Sequence, residues 1–387
     1  MNPDALKIAR RITDHPSANE QLLYFTSSSV SDDGRLLVFI SDRDGPPNLF
    51  CRDLQTGREQ KLSDNRDGVL KSYVYFDGLA YRGLGKASVS FDAGRKLVYF
   101  IQGRSVCRAS AEGQIEVLAE LPAEQMTAFT HVSGDGKRLC VPTVDARALD
   151  GNVPITGHPK YDIDARVREE NLSSYLRIYD TTSGQLLHVE PVPRGWVTHV
   201  QFSPTNPDLL LYNHEWPSDC GVRRMWLWDG KSHRQLRDEN AGRSRRDWTC
   251  HEMWQRDGRA VIYHGSYADG GPAYIGRLVL DGGRCDEIAL APGMKRYGHF
   301  TVGREGLLVS DGYYQTPDDP AGFGGAWICA VDVDWSAGTA KWRPLCRNGS
   351  SWRGQDEHPH PILDATDSAV YFTSDVDGRR AVYCVDC

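Results

Sequence analysis

One phrase recurs along this chain and limits what it can fold into: a short β-rich run, a tight Asp-Gly, Asn-Gly or Ser-Gly turn, and another short run. Residues 32–63 show it fully: Asp-Asp-Gly, Leu-Leu-Val-Phe-Ile, Ser-Asp-Arg-Asp-Gly, Asn-Leu-Phe-Cys-Arg-Asp-Leu, Gln-Thr-Gly, Gln-Lys-Leu. The phrase returns at 369–386, with weaker copies after Gly94, Asp135, Asp208 and Asp257. Amphipathic helical periodicity is hard to find beside it. A period near 40–50 residues holding about four strands is the signature of propeller blades. Copies start near residues 23, 85, 128, 197, 249, 297 and 358, which makes seven. The last copy contains only inner strands, and Leu6–Thr13 can supply its missing outer strand, leaving no open sheet edge. The expectation is therefore an all-β, seven-bladed β-propeller whose N-terminal segment closes the last blade. It forms one domain over 1–387, with a polar insertion loop at about 146–172.

Composition narrows the partners. An apolar fraction of 40% with 38 glycines is a globular level and excludes wholesale disorder. Lys plus Arg is 45 against 52 for Asp plus Glu, a net charge of −7, so nothing suggests a nucleic-acid partner. No run approaches the ~18 apolar residues of a membrane span. The opening residues, polar every few positions, lack the apolar stretch of a secretory signal. Ten cysteines are scattered singly, which fits a reducing compartment and predicts a cytoplasmic protein.

Aligned blades show a second pattern. The first strand of a blade lines the central channel, and histidines stand where these strands open: His131, His199, His251, His299, His358 and His360. One such histidine is ordinarily a satisfied polar residue, but six favour a metal or proton-transfer site. In Gln355-x-x-His358-x-His360, period 2 along an extended strand would put both imidazoles on one face. Gln355 and His299 could join them around one ion. Neutral nitrogens with an amide oxygen suit Mn²⁺, Fe²⁺, Ni²⁺ or Zn²⁺. A hydrogen-bonded His-Pro-His turn without metal is the alternative. A further cluster, Asn213-His214-Glu215-Trp216 followed by Arg223-Arg224-Met225-Trp226, offers an arginine that either turns toward the channel mouth or lies on a solvated edge.

Taken in order, Thr198-His-Val-Gln-Phe-Ser-Pro, Asn213-His-Glu, Arg224-Met-Trp, Cys250-His251-Glu-x-Trp, Gly298-His299 and Gln355-x-x-His358-x-His360 resemble the oligogalacturonate lyases, polysaccharide lyase family 22. The similarity covers nearly the whole chain. It implies a cytoplasmic seven-bladed propeller that cleaves short unsaturated galacturonides by β-elimination with bound Mn²⁺, in pectin degradation. It implies that His299, Gln355, His358 and His360 hold the metal, that His251 is the Brønsted base, and that Arg224 pairs with substrate carboxylate or developing charge. His199 and His214 are implied as further members of the substrate site. After His214-Glu215 the chain departs from the family pattern Gly-Pro-His-Asp, reading Trp216-Pro-Ser-Asp-Cys. Trp216 would stack on a sugar ring or narrow the pocket, so the uronide accepted can differ from digalacturonate.

The implied chemistry agrees with the residues. Removing the C5 proton of a uronic acid builds a dianion that cations must stabilise. An imidazole titrating near neutrality suits the abstraction. Two other readings remain: a non-catalytic propeller that binds a glycan or protein, and a metal-dependent hydrolase or epimerase using the same ligands.

Overall fold

The computed structural model describes residues 6–66, 85–149, 167, 169–215, 224–237, 247–267, 270–290, 298–312 and 327–387. The chain divides into two compact units, Met1–Gly34 with Arg237–Cys387, and Arg35–Leu236. Its described strands form seven antiparallel sheets, six of four strands and one of five. This is the seven-bladed β-propeller that the repeats predict. First strands begin at Glu20, Val89, Gln125, Val200, Trp248, Phe300 and Ile362, each within a few residues of its expected start.

In unit Arg35–Leu236, burial falls along each sheet in sequence order. Leu97–Gln102 is buried over its centre, whereas the fourth strand of that sheet, Ile115–Glu120, is mostly exposed. Middle strands read as nearly continuous apolar runs because both of their faces pack on other sheets. Tyr99, Ile101 and Val106 of one sheet pack with Val132, Leu139 and Val141 of the next. Cys140, Leu176 and Ile178 meet Val200, Phe202 and Tyr212 in the same way. The Asp135-Gly136 turn shows why glycine punctuates the repeat: Gly136 has φ +67°, a left-handed conformation that strains any side chain. The ends of the expected insertion are not simply polar loop. Ala146–Leu149 forms a 3-10 turn, and Ala148, Val167 and Leu172 join a core with Met126 and Trp196. The intervening residues 150–166 and 168 lie outside the described residues, including His158, Lys160 and Tyr161.

The other unit holds three complete sheets, starting at Trp248, Phe300 and Ile362. Ile262, Ile275 and Ile288 pack on Phe300, Val302 and Leu308. Val309 and Ile328 pack in turn on Val370, Phe372 and Val385. Each such buried aliphatic or aromatic side chain contributes roughly 1.5–3 kcal/mol. The last sheet runs Ile362–Leu363, Ala369–Ser374, Ala381–Asp386, and finally Arg10–Arg11 from the far end of the chain. Arg10 pairs with Cys384 and Arg11 with Tyr383. The Ile12 N–H donates to the Val382 carbonyl at 2.8 Å, and the Lys7 ammonium caps the Asp386 and Cys387 carbonyls. The closing strand expected from Leu6–Thr13 is thus present. No described helix is long and apolar enough to cross a membrane.

Candidate metal and catalytic centre

Within the unit that contains both chain ends, four of the singled-out histidines come together. The His299 ring centroid lies 4.1 Å from His360, 5.3 Å from His358 and 4.5 Å from His251. Donor atoms of His299, His358 and His360 all fall within 4.8 Å of one another, close enough to share one ion. Their route to this point differs from the strand expected for Gln355–His360. Gln355–Glu357 is a 3-10 turn, His358 is extended, and the strand starts only at Ile362. Two prolines flanking His360 leave no continuous ladder for a pleat to follow. Instead, His360 takes a left-handed φ of +46°, which turns its ring back toward His299. Gln355 stands at the exposed head of the 3-10 turn.

A buried carboxylate organises two of these histidines. Asp311 follows the strand Leu307–Ser310 and is wholly buried. It accepts the His299 backbone N–H at 2.8 Å and the His360 backbone N–H at 3.1 Å, and lies 3.0 Å from His299 Nδ1. Burial pushes its carboxyl up to about 6, still ionised at neutral pH. A carboxylate at Nδ1 holds the ring proton there and leaves Nε2 for a metal. The donor set therefore fits a divalent cation: convergent imidazoles, one pre-set in its binding tautomer.

His251 lies on the strand Trp248–Trp254, at a bulge between Cys250 and Met253, with φ +49°. Its Nδ1 is 3.2 Å from the Gly298 carbonyl and 2.8 Å from His264 Nε2. A carbonyl only accepts, so Nδ1 carries the proton and Nε2 carries the lone pair. Gly298, φ +99°, leaves no room for a side chain, since a Cβ there would come 2.5 Å from Gly312 Cα. Phe25 packs edge-on to His251 and stacks on His360, while Trp352 packs on His358. Three of the eight left-handed non-glycine residues among the described ones, His251, Trp352 and His360, belong to this cluster, which locates backbone strain at the site.

A second cluster lies within unit Arg35–Leu236. Arg224 precedes the strand Met225–Trp228 and is buried, not on a solvated edge. Its Nη1 donates to Glu215 Oε2 at 2.8 Å. The same oxygen lies 2.8 Å from Asn213 Nδ2 and 3.0 Å from Thr198 Oγ1. Asn213 Oδ1 accepts the Thr198 and His199 backbone N–H groups, which fixes the amide so that Nδ2 faces His199 Nδ1 at 2.8 Å. Nδ1 of His199 is then an acceptor and Nε2–H a donor. Phe129 stacks on this ring at 4.6 Å. His214, one residue beyond Asn213, packs instead against Tyr212 and Trp226. Burial pushes its pKa down to about 3, so it stays neutral. His131 accepts the Phe202 N–H on Nδ1, a structural bond. Trp216, Cys220 and the arginines at 243, 245 and 246 lie outside the described residues.

The fold and site define a seven-bladed β-propeller with a candidate metal centre of convergent imidazoles. Residues 176–387 match the family model of the oligogalacturonate lyases. The chain belongs to this family, and it is a lyase. It is 29% identical over 379 residues to an oligogalacturonide lyase of Pectobacterium atrosepticum, covering 93% of this chain and 88% of the relative. It is 25% identical over 385 residues to an oligogalacturonate lyase of Dickeya dadantii, with the same coverage. Among solved structures it resembles an oligogalacturonate lyase in complex with manganese, with TM-score 0.75, 20% identity, and 98% and 93% of the two chains covered. It also resembles the oligogalacturonate lyase of Vibrio parahaemolyticus, with TM-score 0.77, 20% identity, and 99% and 94% covered.

Proposed function

We propose that this lyase cleaves short oligogalacturonides by β-elimination at C5, with His251 as the base and Arg224 neutralising uronate charge. His299, His358, His360 and Gln355 would hold a divalent cation, most simply Mn²⁺. The observation that carries the reading is the His251 tautomer. The Gly298 carbonyl keeps the proton on Nδ1, and the lone pair on Nε2 is ready to take the C5 hydrogen. When bound, the metal supplies a Lewis acid for the uronate carboxylate.

The remaining roles follow from side-chain chemistry. As His251 Nε2 takes the proton, the ring becomes cationic, and the Gly298 carbonyl and His264 Nε2 both accept from its Nδ1–H. Arg224 brings a planar guanidinium whose charge Glu215 balances at rest. His199 donates from Nε2 to a sugar hydroxyl or carboxylate. His214, neutral and packed on Tyr212 and Trp226, would serve as a wall rather than a proton carrier. Trp216 would stack on a sugar ring. Among the described cysteines none is in a disulfide, which supports action in the cytoplasm on fragments that pectin breakdown has already shortened.

The test is incubation with Mn²⁺ and a panel of short uronides, with product masses read directly. Elimination gives products whose masses sum to that of the substrate, one of them unsaturated or keto-deoxy. Products heavier by one water would mean a hydrolase, an isomer of unchanged mass an epimerase, and unaltered substrate a binding propeller. Any of the three refutes the proposal.

A further inference from the structure

Among the described residues, a second group of metal-capable side chains stands beside the first: Cys250, His251 and His264, with donor atoms within 4.8 Å of one another. Its construction is local. Cys250 and His264 are cross-strand partners, so their side chains share a face of the sheet. The next residue on a regular strand would point away. The bulge after Cys250 and the left-handed φ of His251 cancel that alternation and bring the third donor to the same side.

We propose that Cys250, His251 and His264 form an inhibitory site for a thiophilic divalent cation of the zinc class. A thiolate with two imidazoles is a softer donor set than the thiolate-free cluster of His299, His358 and His360, so the two sites select different metals. Two nitrogens on one tetrahedral zinc stand about 3.3 Å apart. His251 Nδ1 and His264 Nε2 are at 2.8 Å, and a small parting of the rings makes room. Cys250 and His251 are both partly exposed, which leaves the cation a way in from solvent. The protons balance simply. The Cys250 thiol releases its proton to solvent, and the proton on His251 Nδ1 moves through solvent to Nε2 as the metal takes Nδ1. The ring is then protonated on the atom that would have accepted the C5 hydrogen. The metal site stands on geometry alone; its inhibitory effect rests on the proposed role of His251 as the base.

The experiment uses Mn²⁺-loaded enzyme titrated with Zn²⁺, and separately with Co²⁺ as a spectroscopic probe, in wild type and Cys250→Ser. Wild type should bind one zinc beyond its manganese and show a cobalt–thiolate charge-transfer band. Its turnover should fall by at least about tenfold while manganese, measured by elemental analysis, is retained. Cys250→Ser should keep wild-type turnover without zinc, lose the band, and need at least about tenfold more zinc for the same inhibition. A Cys250→Ala variant guards against a hydroxyl that still binds. Zinc stoichiometry and cobalt spectra unchanged by either substitution would overturn the site. Cysteine-dependent zinc binding with turnover intact would uphold the site and overturn the inhibition, the base assignment falling with it.

Discussion

Replacing Asp311 with asparagine is a small change in volume with a large expected effect on metal binding. The carboxylate serves three groups at once: the backbone N–H of His299 at 2.8 Å, the backbone N–H of His360 at 3.1 Å, and His299 Nδ1 at 3.0 Å. An asparagine has one acceptor oxygen. If that oxygen keeps the His299 N–H, the amide NH₂ faces the His360 N–H and His299 Nδ1. Donor would then meet donor unless His299 moves its proton to Nε2. That relieves the clash at Nδ1 but protonates the atom proposed to bind the ion, and the His360 N–H stays uncompensated. Loss of such an outer partner typically weakens a metal by roughly 10–100-fold, about 1.4–2.8 kcal/mol. A buried N–H left facing a donor adds about 1–3 kcal/mol of instability. Isothermal titration of metal-free protein with Mn²⁺ reads the first quantity and urea unfolding the second. Wild-type manganese affinity in a folded Asp311→Asn protein would refute the reasoning.

Arg224→Lys should lower kcat roughly 10²-fold with manganese content unchanged, because a point charge replaces the planar fork that Glu215 orients; steady-state kinetics with an unchanged rate would remove the residue from the mechanism. His214 has a folded pKa pushed down to about 3, so the fold binds fewer protons than the unfolded chain below its ordinary value. Its stabilising effect is complete above pH about 6.5 and is lost as pH falls toward 3, by about 1.4 kcal/mol per pH unit. His214→Leu should flatten the acid limb of a stability–pH profile by that slope, and parallel profiles would contradict the burial argument. Deleting residues 1–13 removes the strand at Arg10–Arg11 and uncovers the edge Ala381–Asp386. A loss of about 2 kcal/mol or more, with increased light scattering, is expected; an unchanged Tm and a clear solution would count against closure by this strand.

The blades were legible because their signal is local. Asp-Gly turns and β-branched runs recur in the chain at the spacing at which the strands recur in space. The closing strand could be read from an accounting argument, since the last repeat, from His358 onward, lacked an outer strand and only the N-terminal segment was unspent. The burial of Ala148, Val167 and Leu172 was less visible. A few apolar positions amid polar sequence do not show periodicity, and their burial depends on Trp196 and Met126 from other strands.

At the site, sequence spacing pointed to histidines that do converge, but by a geometry the chain does not use. His358 and His360 converge although they share no strand, because the left-handed backbone of His360 does what a pleat was expected to do. Asp311 and His264 were not singled out. Asp311 sits in Ser-Asp-Gly, which looks like every other turn in the repeat, and His264 sits in a buried strand where histidine reads as filler. Both matter through atoms that only the fold brings together: one carboxylate spanning two histidines 61 residues apart in sequence, from His299 to His360, and one imidazole facing the lone carbonyl-bound nitrogen of His251. The proposed ligands and base stand at blade openings and so leave a periodic trace. The groups that set their tautomers sit at no repeated position, and the state of a proton on His299 or His251 is decided there.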